Sequence, residues 1–251
     1  MLIRHSTARI AALLFGMLCS SISIAAGNAR TATGPNGEPI KIHGSLVIIE
    51  PDIELTEVSA GGLQEPRREW TAAARTNYPV VVKQLLAHEN GPAVSIYDVP
   101  DDTLPGSRLG QMLRLNQEVS MSIAQYSAAG SVLATKKDPL TGKPLHDWQL
   151  GQGVQEIRTA TGADYALFTY VRDSYASSGR TALRTFALIA GAAMGAYVDI
   201  GGGMQVGVAS VVDLRTGQIV WHNLMVKQSG DLRDAEGARA AVKQLLKDLP
   251  L

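Results

Sequence analysis

Val211 to Met225 reads VVDLRTGQIVWHNLM, and how these fifteen positions fold decides the architecture. Asp213, Arg215 and His222 lie within ten positions, with Trp221 beside the histidine, so the stretch is either a polar catalytic cluster or a hairpin. Met204 to Asp213 (MQVGVASVVD) is small and β-branched, as a strand requires. Leu214-Arg215-Thr216-Gly217 then offers a turn with Gly217 in the left-handed position. Strand alternation sends Ile219, Trp221, Asn223 and Met225 to one face of the return strand. Val220, His222, Leu224 and Val226 go to the other. Trp221 and His222 therefore cannot share a pocket, and Asp213 suits local turn bonding. The hairpin is the expectation.

Asp164 to Tyr175 (DYALFTYVRDSY) predicts a central strand. Ala166, Phe168 and Tyr170 face one way, Tyr165, Leu167 and Val171 the other, and both faces are largely apolar. Upstream, SLVIIE from Ser45 is a short buried strand ended by Pro51, IELTEVS from Ile53 extends or edges the sheet, and AVSIY from Ala93 is a further strand.

Helical spacing begins at Glu65-Pro66, runs through Trp70, Ala74, Val81 and Leu85, and predicts a kink or two abutting helices at Pro79. A second helix follows possible caps at Asp101 to Thr103. Leu109, Met112, Leu113, Val119, Ile123 and Tyr126 form its core stripe. A polar loop, Lys136 to Trp148, leads to a helix ending at Gly162. Asp234 caps a final helix with the stripe Ala238, Val242, Leu245, Leu249. The pattern predicts an α/β fold, a mixed β-sheet flanked by helices, with a C-terminal hairpin followed by a helix.

The 251 residues are 45% hydrophobic and 18% charged, with 23 basic and 23 acidic side chains. That suffices for one sizeable core and supplies no bulk field for nucleic acid, which is not an expected partner. Arg4, His5 and Arg9 precede an apolar stretch, Ile10 to Leu18, and small residues to Ala26. This is the layout of a secretory signal over 1–26, too short an apolar run for a span of ~20 residues. Residues 27–43, rich in Gly, Pro, Asn and Thr up to Lys41, read as a flexible leader, and 44–251 as a single domain. The expected location is the periplasm or the periplasmic face of an outer membrane. Cys19 is the sole cysteine; Leu18 before it and Gly16 three before do not match a lipoprotein signal. The mature chain then has no thiol chemistry.

Within the domain, 185–203 stands apart. TFALIAGAAMGAYV, Thr185 to Val198, carries no charge and is followed by Asp199 and Gly201 to Gly203. Gly191 and Gly195 make a GxxxG extended back by Ala187, spacing that lets another helix approach closely. Three outcomes are open: tight packing on its own sheet, docking to a membrane or sister subunit, or a hairpin over Phe186 to Val212 contributing to an oligomeric barrel. The interaction candidates are Phe186, Ala187, Gly191, Met194, Gly195 and Tyr197.

Catalytic signatures are sparse. There is no phosphate loop, no HExxH and no GxSxG, and no cofactor is expected. His43, His88, His146 and His222 lack ligand spacing. Glu50, Asp52 and Glu54 are a possible acid–base or cation site at a strand end. Arg172, Asp173, Arg180 and Arg184 form a charged junction before the apolar segment, where ion pairing is expected.

The strand GADYALFTYV, the glycine-rich stretch and VVDLRTGQIVW resemble exported bacterial envelope proteins. These are the curli secretion-channel subunits (CsgG-like) and penicillin-binding-protein activators (LpoB-like), which share the TolB N-terminal sandwich. The resemblance implies an envelope protein working by assembly or contact, not turnover. Partners would be envelope proteins or further copies of the chain, with possible peripheral membrane contact. The expected function is a scaffold, assembly factor or regulator; the alternatives are a subunit of an oligomeric outer-membrane pore and, on the residues alone and apart from the resemblance, a hydrolase with a carboxylate site around Glu50 to Glu54. Those families are typically lipid-anchored, and the signal here lacks that feature.

Overall fold

The computed structural model describes residues 29–87, 91–126 and 145–251. The leader 1–26, Cys19, His88 and most of the 136–148 loop lie outside them. The element order is β1 (Arg30–Thr31), β2 (Ser45–Ile49), β3 (Asp52–Val58), β4 (Gln64–Pro66), α1 (Arg68–Leu86), β5 (Ala93–Tyr97) and α2 (Arg108–Tyr126). It continues with α3 (Gln155–Thr161), β6 (Tyr165–Ala176), α4 (Ser178–Ala193), β7 (Gln205–Asp213), β8 (Ile219–Val226) and α5 (Ala235–Leu245).

β6 organises the sheet, whose main order is β1-β8-β7-β6-β2-β5. β7 and β8 are antiparallel to their neighbours, whereas β2 pairs in parallel with both β5 and β6. The sheet is therefore mixed, with helices on both faces. Leu167, Val171, Trp221 and Leu46 pack with α1 and α5. Ala166, Phe168, Val47 and Ile49 pack with α2 and α3. β6 is apolar on both faces because a helical layer covers each.

Two successive strands share one edge of β6. Ile48 of β2 pairs with Leu167, and Asp52 of β3 pairs with Tyr170. Four steps on one side oppose three on the other, so one extra residue bulges out around Glu50-Pro51. Pro51 has no N–H to donate to the ladder, which suits a break there.

The hairpin forms as expected: Gly217 sits at φ 79° and its N–H donates to the Asp213 carbonyl at 2.8 Å. Asp213 accepts from the Arg215 amide and guanidinium, a local turn role. Trp221 and His222 lie in opposite layers: Trp221 Nε1 reaches the Asp248 carbonyl after α5, and His222 meets Ser120 of α2. Ile219 departs from the alternation. Val212 pairs with Ile219 and Val211 with Trp221, so Val220 is a bulge that returns Ile219 to the α2–α3 side.

Other expectations need correction. The 27–43 stretch is not simply a flexible leader. Arg30–Thr31 adds a strand to β8, Ala32 is fully buried, and Thr33 bridges Pro39. α1 begins after Pro66 and runs unbroken through Pro79, which is buried; packing outweighs the one backbone bond lost there. The α2 cap is Ser107, whose hydroxyl accepts from the Gly110 amide. Its buried face includes Asn116 and Ser120 beside Met112 and Ile123, whereas Leu113 and Val119 are only half-buried.

Candidate interaction site

The Thr185 to Val198 segment is neither a hairpin nor packed flat on its sheet. It is the second half of α4 and the loop beyond. Ser177 starts the helix by accepting from the Arg180 amide at 3.1 Å. Of the α4 residues only Gly191, which has no side chain, is buried. Phe186 is 69% exposed, Ile189 66% and Tyr197 85%; Leu183 and Met194 are exposed with them. Positions 183, 186 and 189 recur at helical spacing, so the apolar side chains share one face and that face looks outward.

The glycines act within the chain. A Cβ on Gly191 would meet the Ala196 carbonyl oxygen at 2.9 Å and Val198 at 3.0 Å. Gly195 is not helical: at φ 71° it ends the helix in the left-handed conformation. The small residue at Gly191 thus lets residues 196–198 fold back onto α4, and of the six candidates Ala187 is half-buried and Gly191 buried. Of the six interaction candidates, Phe186, Met194, Gly195 and Tyr197 lie on the exposed side.

The charged junction fastens this unit. Arg184 makes two 2.7 Å bonds to Asp199, and the Asp199 carboxylate also accepts from the Gly201 amide at 2.9 Å. The Arg184 guanidinium, aided by that amide, holds the Asp199 carboxyl below the usual carboxylate range. Arg180 donates to the carbonyls of Ile200, Gly201 and Ala60. Ser174 on β6 exchanges bonds with the Met204 backbone. Both helix arginines therefore turn toward the loop, and the apolar face carries no cation.

The other two junction residues separate. Arg172 pairs bidentately with Asp52 and lies 4.0 Å over the Tyr170 ring. Asp173 points into the opposite layer, where it is buried beside Tyr175 and Gln205.

Two of the three carboxylate candidates have structural partners. Glu50 Oε2 accepts from the Val99 amide at 3.1 Å, linking the ends of β2 and β5. Asp52 is held by Arg172, and Glu54 lies beside it on the same strand face. Among the histidines, the fold brings together two that are distant in sequence: the His146 and His222 rings are 6.5 Å apart. His222 Nε2 faces the Ser120 carbonyl at 3.0 Å, so it carries the proton in the neutral ring. Burial, reinforced by the neighbouring His146, pushes His222 down to about 3. Burial pushes His146 down to about 4. Among the described residues no group of three or more His, Cys, Asp or Glu is arranged for a metal, and no helix is long and apolar enough to cross a membrane.

The sequence matches no protein-family model and no curated protein. Among solved structures it is similar to the PelC dodecamer from Paraburkholderia phytofirmans, at 10% identity and a TM-score of 0.39, over 89% of this chain and 97% of that one. A single-substitution variant of the same dodecamer scores 0.37, also at 10% identity, over 89% and 98%. The C-terminal domain of LpoB from Salmonella enterica is similar at 11% identity and a TM-score of 0.26, over 74% and 83%.

Proposed function

We propose that this chain is an exported envelope protein that acts without turnover, as a scaffold, assembly factor or regulator, by docking α4 and the 194–204 loop onto another protein. One observation carries the proposal: Leu183, Phe186, Ile189, Met194 and Tyr197 are all exposed on one helix and its loop. Apolar side chains grouped this way on a water-facing surface mark interaction sites. Helices that bind anionic lipid carry free Lys or Arg beside the apolar face. Here Arg180 and Arg184 are engaged with the loop, which favours a protein partner over a lipid surface. The secretory layout of residues 1–26 supports export. The structural partners of Glu50 and Asp52 support a non-enzymatic role over the hydrolase alternative.

The pore-subunit alternative uses the same surface with further copies of this chain as the partner. The test is to express the full chain with its own leader, fractionate the cells, and weigh the purified species by light scattering, alongside Phe186→Asp/Ile189→Asp. The expected result is a complex or oligomer that dissociates in the variant while circular dichroism is unchanged. Closed rings of the chain alone would select the pore subunit. Assembly that survives the double substitution, or membrane attachment resistant to alkaline carbonate and unchanged in the variant, would overturn the proposal.

A further inference from the structure

The break between β2 and β3 opens the sheet where its connections diverge. From β2 the chain passes through α1 to β5 on one side, and then through α2 and α3 to β6 on the other. In open α/β sheets such a divergence leaves a crevice beyond the carboxyl ends of the parallel strands, the usual place for a ligand. A cavity of about 420 Å³ lies there, between α2, the loop after β5, and β6 and β7. Its size is that of a small-molecule site.

The residues facing the cavity explain why it stays open. α2 turns Asn116 and Ser120, not large apolar side chains, toward the sheet. The Asn116 amide donates to Ser210 Oγ at 3.0 Å, and Ser120 Oγ lies 3.4 Å from it. The floor is thus polar but already bonded to itself, and Ile49, Leu113 and Phe168 supply apolar walls. Arg75 and Arg114 also line it. Arg75 uses only Nε, on the Ile53 carbonyl at 3.3 Å, and Arg114 has no hydrogen bond or ion pair among the described residues. Of the acids at the rim, Glu50 is bonded to the Val99 amide and Asp52 to Arg172, while Asp101 is uncommitted. A guanidinium with open donors beside apolar walls suits an acid group attached to an apolar body.

We propose that this crevice binds a small organic anion, its acid group on Arg75 and Arg114 and its apolar part against Ile49, Leu113 and Phe168. The site is separate from the α4 surface and does not depend on the function proposed for it. The test is an NMR titration of the full, ¹⁵N-labelled chain with 8-anilinonaphthalene-1-sulfonate. N-phenyl-1-naphthylamine, the same body without the acid, serves as the comparison. The expected result is saturable shifts at the Gln117, Phe168 and Ser210 amides, with Kd raised about tenfold in Arg114→Gln and Arg75→Gln. Leu113→Trp, which fills the cavity and leaves both arginines, should abolish those shifts. The proposal is overturned if the sulfonate does not bind, if shifts appear only along α4, if the arginine variants bind unchanged, or if the uncharged probe binds as tightly.

Discussion

The Tyr175 hydroxyl donates to Asp173 Oδ2 at 2.5 Å, two positions apart on the same face of β6. The same oxygen accepts from Gln205 Nε2 at 2.6 Å. Tyr175 in turn accepts from the Leu232 amide at 2.9 Å, and Gln205 binds the backbone of Ser229 and Gly230. A buried carboxyl therefore ties the β8–α5 connection to the sheet. Burial pushes Asp173 up to about 6, although the bonds from Tyr175 and Gln205 oppose the shift.

This shift sets a pH dependence. The folded pKa lies above the unfolded value of 3.8, so the stabilising contribution is complete below pH 3.8 and is lost as pH rises through about 6. The loss is of order 3 kcal/mol. Urea unfolding from pH 4 to 8 should show it in the natural chain, and Asp173→Asn should remove that slope. Equal slopes in the two proteins would mean the carboxyl is not buried in solution.

His222 and His146 act in the opposite direction. Both are held neutral by burial, with folded values near 3 and 4 against 6.5 for an ordinary histidine. Their contribution is complete above pH 6.5 and declines as pH falls toward those folded values, because only the unfolded chain takes up the protons. His222→Gln keeps a donor for the Ser120 carbonyl and should flatten the decline between pH 6 and 4 in the same titration.

On α4, stability and interaction should separate. Phe186→Ser and Ile189→Ser remove exposed side chains, and unfolding free energies should change by no more than about 0.5 kcal/mol. Gly191→Val forces side-chain atoms against the Ala196 carbonyl and should cost about 1–3 kcal/mol. Thermal unfolding of the three variants checks the contrast.

Trp221 has no solvent exposure, lies in the α1–α5 layer and donates to the Asp248 carbonyl. Trp221→Ala should cost about 3–5 kcal/mol, from lost burial and the cavity it leaves. Asp52→Asn breaks a solvent-exposed pair and should cost about 1 kcal/mol or less. Denaturant midpoints for the two variants should differ accordingly.

Much of the sheet was legible because period-two burial is local. Ala166 and Phe168 face one layer and Leu167 and Val171 the other, as alternation required, and the turn residues placed the hairpin and the opposition of Trp221 to His222. The failures came where a distant partner decides. Arg30–Thr31 has no strand signature of its own and becomes a strand because β8 offers an unpaired edge. Asn116 and Ser120 look like surface residues on a helix, yet Ser210, some ninety positions away, gives them buried partners.

The sequence by itself determined the α/β class, the hairpin, the cap at Asp234, and the unusual character of Thr185 to Val198, all set by side-chain chemistry within a few residues. Only the tertiary structure decided which way that segment faces. An apolar helix is equally consistent with a core and with a surface, and its spacing is silent between them. The outcome here depends on Arg180 and Arg184 closing on residues 199–201, and on Gly191 admitting residues 196–198, contacts that exist only once the loop returns to β7.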